Sequence, residues 1–115
     1  MFGSFLKVAT RADLANAGGS LKVFSNGKGV ALFDVDGRVF AVENACPHRG
    51  APLAGGKLRH EADGVYVVCA DHDWRFRLAD GVCPEAGPEC TLMQWDVKIE
   101  GEEILLSRLP RMSQD

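Results

Sequence analysis

The sequence predicts an all-β fold, a small antiparallel β-barrel or sandwich. Short runs rich in Val, Leu and Phe are separated by Asp-Gly dipeptides, and a stretch near the end alternates strictly between apolar and polar residues. The elements follow in order. Thr10 ahead of Arg11-Ala12-Asp13-Leu14 reads as an N-cap opening one short helical turn. Residues 21–25 and 30–35 form the first two strands, and Asp36-Gly37 joins the second of them to residues 38–42. A two-residue Asp-Gly connection favours a type I′ hairpin, because both residues tolerate positive φ. Asp63-Gly64 plays the same part between residues 57–62 and 65–69, and Asp80-Gly81 follows the short run 75–78. Met93, Trp95, Val97 and Ile99 alternate with Gln94, Asp96 and Lys98, which describes a strand with one buried face. Glu100-Gly101-Glu102 turns the chain into residues 104–109, and residues 110–115 read as a frayed tail.

A chain of 115 residues, 46% hydrophobic and 25% charged, suits a single domain over residues 1–115. The formal net charge of -3 leaves no basic excess to attract phosphate backbones, so no nucleic-acid partner is expected. No apolar run approaches the ~20 residues that span a bilayer. Residues 1–10 lack the basic-then-apolar pattern of a signal peptide, so the expectation is a cytoplasmic protein with no membrane contact. Gly18-Gly19 and Gly27-Lys28-Gly29 match neither a dinucleotide fingerprint nor a P-loop, which argues against a nucleotide site. In a reducing compartment, four cysteines read first as metal ligands or thiols and only then as disulfides.

Two stretches interrupt the strand pattern with metal-ligand chemistry. Cys46-Pro47-His48-Arg49-Gly50 follows the strand ending near Val42, and Cys69-Ala70-Asp71-His72 directly follows the apolar run Val65-Tyr66-Val67-Val68. Each offers one thiolate and one imidazole on a loop presented by a strand, and the intervening hairpin can bring the loops together. A Cys2His2 set also suits tetrahedral zinc, but zinc sites generally pair cysteines on one turn and histidines on another, whereas each loop here mixes the two. Cys83 and Cys90 flank Pro84-Glu85-Ala86-Gly87-Pro88-Glu89 and read as reduced thiols near a Pro-rich turn, with a disulfide or a ligand role as alternatives. His60 lies in the charged stretch 57–61 and reads as a solvated surface residue, while Trp74 and Trp95 read as packing residues.

The C-x-H and C-x-x-H pair, with Pro47, Gly50 and Pro52-Leu53 beside it, resembles the Rieske [2Fe-2S] family over roughly residues 6–106. The resemblance implies a β-barrel with a cluster-binding subdomain of two ligand loops, about residues 44–54 and 69–76. Cys46 and Cys69 would hold one iron and His48 and His72 the other. It also implies that Gly87-Pro88 belongs to a third loop covering the cluster, and that the histidine edge, beside Arg49, Asp71 and Asp73, is where electrons leave. High-potential members resemble one another in a disulfide between the ligand loops and in Ser and Tyr hydroxyls after the second histidine. This chain has Ala51 and Asp71 where bridging cysteines could stand, and Trp74 and Phe76 in place of the hydroxyls. With Asp71 and Asp73 adding negative charge, the expected midpoint lies near the low end of the family range, about −150 mV.

The same resemblance implies an electron carrier that is not catalytic alone. A complete oxygenase would need a mononuclear iron held by two further histidines and a carboxylate, and this chain has three His with two already assigned. Two carrier roles fit. The stretches Asp36-Gly37-Arg38-Val39-Phe40-Ala41-Val42, His72-Asp73-Trp74 and residues 84–91 resemble the small subunit of an NAD(P)H-dependent nitrite reductase. The other role is the ferredoxin component of an aromatic-ring-hydroxylating dioxygenase, where Gly usually stands at the place of Asp73. Either role implies redox protein partners, a reductase or a terminal large subunit. A zinc-bound or cluster-free structural subunit is the remaining alternative.

Overall fold

The computed structural model of the protein describes residues 4–47, 50–70, 73–88 and 90–111. Its elements run β1 (Phe5–Thr10), α1 (Arg11–Asn16), β2 (Ser20–Ser25), β3 (Lys28–Val35), β4 (Arg38–Glu43) and β5 (Leu58–Glu61). They continue with β6 (Gly64–Val68), β7 (Arg75–Arg77), β8 (Gln94–Trp95), β9 (Val97–Glu100) and β10 (Glu103–Ser107). All strand pairs among these are antiparallel and form three sheets, ordered β1-β10-β9, β2-β3-β4-β8 and β5-β6-β7. The first two pack around Leu14, Val30, Leu32, Trp95, Ile104 and Leu106. A second apolar cluster, with Phe33, Leu53, Val67, Phe76, Leu78 and all four cysteines, joins the β5-β6-β7 sheet to its connecting loops.

The local chemistry accounts for these elements and for their departures from expectation. Thr10 caps α1 in a full capping box: its hydroxyl accepts from the Asp13 N–H and the Asp13 carboxylate accepts from the Thr10 N–H. The helix runs to Asn16, somewhat beyond the single turn predicted. Asp36-Gly37 has the positive φ pair of a type I′ turn, 52° and 88°, as predicted, and Asn26-Gly27, at 52° and 78°, closes the β2–β3 hairpin in the same way. The β5–β6 turn is different. Glu61 pairs with Gly64, so Ala62 and Asp63 occupy the turn and only Gly64 has positive φ. The Asp63 carboxylate instead accepts from the Tyr66 hydroxyl and from Arg77 Nη1.

The alternating stretch 93–99 is not one strand. It breaks at exposed Asp96, with β8 in one sheet and β9 in another. Gln94, on the polar side of the alternation, is buried: its Nε2 donates to the Asp80 carbonyl and its Oε1 accepts from Arg111 Nη1. Ile99, on the apolar side, is exposed. The tail is held as far as Arg111, whose Nε donates to Asp96 Oδ1 at 3.0 Å and whose backbone N–H bonds the Gln94 carbonyl. Residues 112–115 lie outside the described ones.

Two loops leave this scaffold toward the second cluster, residues 44–57 from β4 to β5 and residues 69–74 from β6 to β7. Asn44, itself buried, pins the first. Its Oδ1 accepts from the N–H groups of Leu53 at 3.1 Å and Ala54 at 2.7 Å, and its backbone N–H donates to Gly29. Gly81 pins the following connection, because a Cβ there would lie 2.3 Å from the Leu92 carbonyl oxygen and its φ is +76°.

Gly81→Ala is therefore expected to destabilise the fold by about 2 kcal/mol or more, read as a lowered denaturation midpoint. Asn44→Ala takes the acceptor from the Ala54 N–H and leaves the Leu53 N–H only the Asn44 backbone carbonyl at 3.3 Å, and should cost roughly 1–3 kcal/mol. Asn44→Asp keeps the acceptor, so in the same denaturant titration it should lie much nearer the wild type than the alanine variant.

Candidate metal centre

The two loops reverse by the same hydrogen-bonding scheme. In the first, the Cys46 N–H donates to the Ala51 carbonyl at 2.8 Å and the Gly50 N–H donates to the Cys46 carbonyl at 2.6 Å. In the second, the Cys69 N–H donates to the Trp74 carbonyl at 2.7 Å and the Asp73 N–H donates to the Cys69 carbonyl at 2.9 Å. Gly50 and Asp73 hold matching places, four residues beyond the cysteine, and both have positive φ, 79° and 63°. Glycine reaches that region without strain, and aspartate is one of the few other residues that tolerate it. Both peptide groups of each cysteine are thus occupied by the turn, and the thiol is directed inward.

Cys46 and Cys69 are 1% and 0% exposed and belong to one apolar cluster with Leu53, Val67 and Phe76. Two soft donors brought from separate loops into a dry, shared interior are what an iron–sulfur centre requires of its protein. The donor chemistry and burial of these residues therefore fit such a group. His48 and His72, with Arg49 and Asp71, lie outside the described residues. Among the described residues no three His, Cys, Asp or Glu side chains converge on a metal position.

The third loop closes on the same interior. Ala86 and Gly87 both donate to the Cys83 carbonyl, and the Cys90 N–H donates to Gly87. Cys83 and Cys90 are buried and in no disulfide. Burial pushes the Cys83 thiol up, and it pushes Cys90 up too, reinforced by the neighbouring sulfurs of Cys83, Cys46 and Cys69. Buried thiols held in their neutral form are poor nucleophiles, and the absence of a disulfide agrees with the expectation of reduced thiols. Their burial beside Cys46 and Cys69 agrees with the third loop that the resemblance implied, while their spacing alone left their role open.

Polar contacts that sequence patterns could not reveal brace the site. Glu85 on the third loop meets Arg75, the first residue after the second ligand loop, with Oε2 2.9 Å from Arg75 Nε. Arg75 Nη1 donates to Glu61 Oε1 at 2.6 Å, and Glu61 Oε2 lies 3.4 Å from Arg59 Nε. Arg75 and Arg77 both stand over the ring of buried Tyr66, at 4.9 and 5.9 Å from its centroid. His60 is exposed on β5, Trp74 packs partly buried against the cysteine cluster, and Trp95 is buried in the other one, as the sequence led one to expect. A groove of about 910 Å³ bordered by Arg38, Phe40, Trp95 and Arg111 is lined by none of the cysteines, although Leu78 of their cluster forms part of its wall.

Residues 4–107 match the Rieske [2Fe-2S] domain family. A protein of Mycobacterium tuberculosis assigned as an NADH-dependent nitrite reductase small subunit is similar in structure, with a TM-score of 0.81 at 25% identity over 95% of this chain and 98% of that one. The ferredoxin of carbazole 1,9a-dioxygenase from Nocardioides aromaticivorans IC177 is similar with a TM-score of 0.72 at 27% identity, covering 90% of this chain and 96% of that one. NdmB of Pseudomonas putida CBB5 shares the fold, with a TM-score of 0.78 at 21% identity over 90% of this chain, which spans only 34% of NdmB. No helix among the described residues is long and apolar enough to cross a membrane. With its twin cysteine loops and a family match covering nearly all of its length, the chain belongs to the Rieske [2Fe-2S] family, whose domain carries electrons on a cluster held by two cysteines and two histidines.

Proposed function

We propose that this chain is a low-potential one-electron carrier in which Cys46 and Cys69 hold one iron and His48 and His72 the other, serving as the small subunit of an NAD(P)H-dependent nitrite reductase. The observation that supports the cysteine half of the assignment is the shared closure of the two loops, which takes up the backbone of Cys46 and Cys69 and turns both thiols into one apolar cluster, and the histidine half rests on the family pattern. A bound [2Fe-2S] cluster supplies a single electron per cycle. The protein's part is to hold the thiols in place, to exclude water with Leu53, Val67 and Phe76, and to set the charge around the site. Exposed Asp73 adds a negative charge at the foot of the second loop, which opposes reduction.

The choice of partner rests on Asp73 and on the likeness to the Mycobacterium tuberculosis protein over nearly the full length of both chains. The likeness to the Nocardioides ferredoxin supports the second reading, a ferredoxin of a ring-hydroxylating dioxygenase. In both readings the chain works in a cytoplasmic redox relay and another polypeptide performs the catalysis. A sirohaem reductase encoded beside this chain would favour the first role, and oxygenase subunits would favour the second.

The first test is an EPR spectrum of purified protein reduced with dithionite. The expected result is a rhombic signal with an average g below that of all-cysteine ferredoxins, lost in Cys46→Ser and Cys69→Ser. A silent, colourless protein after anaerobic reconstitution would refute the carrier role. In a redox titration the midpoint is expected below zero, near −150 mV. It should fall as pH rises through the imidazole pKa values of the oxidised protein, because the oxidised centre favours loss of a proton from His48 and His72.

A further inference from the structure

The Glu85 carboxylate holds three donors from two different segments. Oε1 lies 3.3 Å from the backbone N of Arg75 and 3.7 Å from Cys83 Sγ, while Oε2 accepts from Arg75 Nε at 2.9 Å. Arg75 follows Trp74, whose carbonyl closes the second ligand loop on Cys69. One side chain therefore links the foot of that loop to the third loop. Arg75 is itself fixed from the far side by Glu61 of β5 and stands over the Tyr66 ring of β6. The Arg75, Glu61 and Glu85 side chains are 27%, 24% and 35% exposed, so this is a partly desolvated, bidentate network rather than a solvated surface pair.

We propose that Glu85 is a positioning residue for the redox centre, a clamp that holds the third loop across the cysteine pair and contributes one of the negative charges that set the potential. The third loop brings Cys83 and Cys90 into the same apolar cluster as Cys46 and Cys69, so the loop that Glu85 ties down is a wall of the site itself. Loosening it admits water to the ligand sulfurs. Removing the carboxylate also leaves Arg75 with one anion fewer. Both changes favour the reduced, more negative state, so they act on the potential in the same direction. Burial pushes the Glu85 carboxyl up, but the Arg75 N–H and guanidinium outweigh it and hold it below the ordinary range, so the group is anionic at neutral pH.

This inference rests on the proposed carrier function, and the test separates the two. Holo wild type, Glu85→Gln, Glu85→Ala and a remote control, Glu100→Gln on β9, are compared for iron release to an excess of a ferrous chelator, for redox midpoint and for thermal unfolding. Glu85→Gln, close to the native shape, is expected to release iron several-fold faster from folded protein. It should also favour the reduced form about threefold, roughly 30 mV upward at 59 mV per tenfold for one electron. Glu85→Ala should exceed it, and Glu100→Gln should match the wild type in both readouts. If Glu85→Ala fails to fold, Glu85→Gln decides alone. A Glu85→Gln protein with wild-type iron release, or with an unmoved midpoint and only a lowered unfolding temperature, overturns the clamp. A wild type that takes up no cluster overturns the functional reading and this inference together.

Discussion

The structure depends on keeping two cysteine thiols in a dry interior on loops that must reverse within a few residues. A buried peptide group without a partner costs on the order of 1–3 kcal/mol. A tight loop cannot afford several of them. The chain meets this by using the cysteine's own N–H and carbonyl to close each turn. That solution requires a left-handed residue four positions on, which is Gly50 in one loop and Asp73 in the other. It also requires a fixed point where each loop begins. β4 and β6 supply these as the strands that end at the two loops, while Asn44 ties the first loop to itself and Gly56 lets it lie against the end of β6. Gly56 has no room for a side chain at ordinary contact distance, since a Cβ would sit 3.0 Å from the carbonyl oxygens of both Leu53 and Val68.

Because the loops share one design, their differences carry meaning. Aspartate in the left-handed region is less favourable than glycine, yet nothing in the second loop's closure requires a carboxylate at position 73. What it adds is an exposed carboxylate beside the loop. A similar logic runs along the outer face of β5-β6-β7, where Arg75 and Arg77 flank Tyr66 and are each matched by carboxylates, Glu61 and Glu85 for one, Asp63 and Asp80 for the other. The guanidinium of Arg77 holds the Asp80 carboxyl below its ordinary value against the opposing effect of burial. Asp80 therefore stabilises the folded state above the ordinary aspartate pKa, and that contribution is lost as the pH falls through its depressed value.

What could be read from the sequence is what depends on neighbours along the chain. The Asp36-Gly37 hairpin, the Thr10 cap and the C-x-H and C-x-x-H loops are each written within a few consecutive residues. Where distant residues compete, the local signal misled. Asp63-Gly64 resembles Asp36-Gly37, but Tyr66 and Arg77 engage the Asp63 side chain and the turn shifts back by one residue. Gln94 follows the polar beat of its alternation, yet Asp80 and Arg111 satisfy its amide in the interior. Asn44, Arg75 and Glu85 carry no periodicity at all. Apart from Cys83 beside Glu85, the partners named for them lie nine or more residues away, and polar side chains in loops announce nothing until the fold brings those partners within reach.

This division bears on the choice of redox partner. The same scaffold occurs within NdmB, of which this chain spans about a third, and across nearly the full length of a nitrite reductase small subunit and a dioxygenase ferredoxin. A barrel so widely shared cannot select a partner by its backbone, so selection falls to side chains at the loops. Docking between redox proteins is brief and is steered by charge more than by buried area. On the described part of the second ligand loop and the segment that follows it, Asp73 is exposed and Arg75 is turned inward against Glu61 and Glu85. With Arg75 paired to Glu61 and Glu85, the carboxylate of Asp73 is a charge that the described part of this segment presents outward. A complementary partner would then need a cationic rim opposite that loop, and such a requirement can distinguish one oxidoreductase from another while the barrel beneath stays the same.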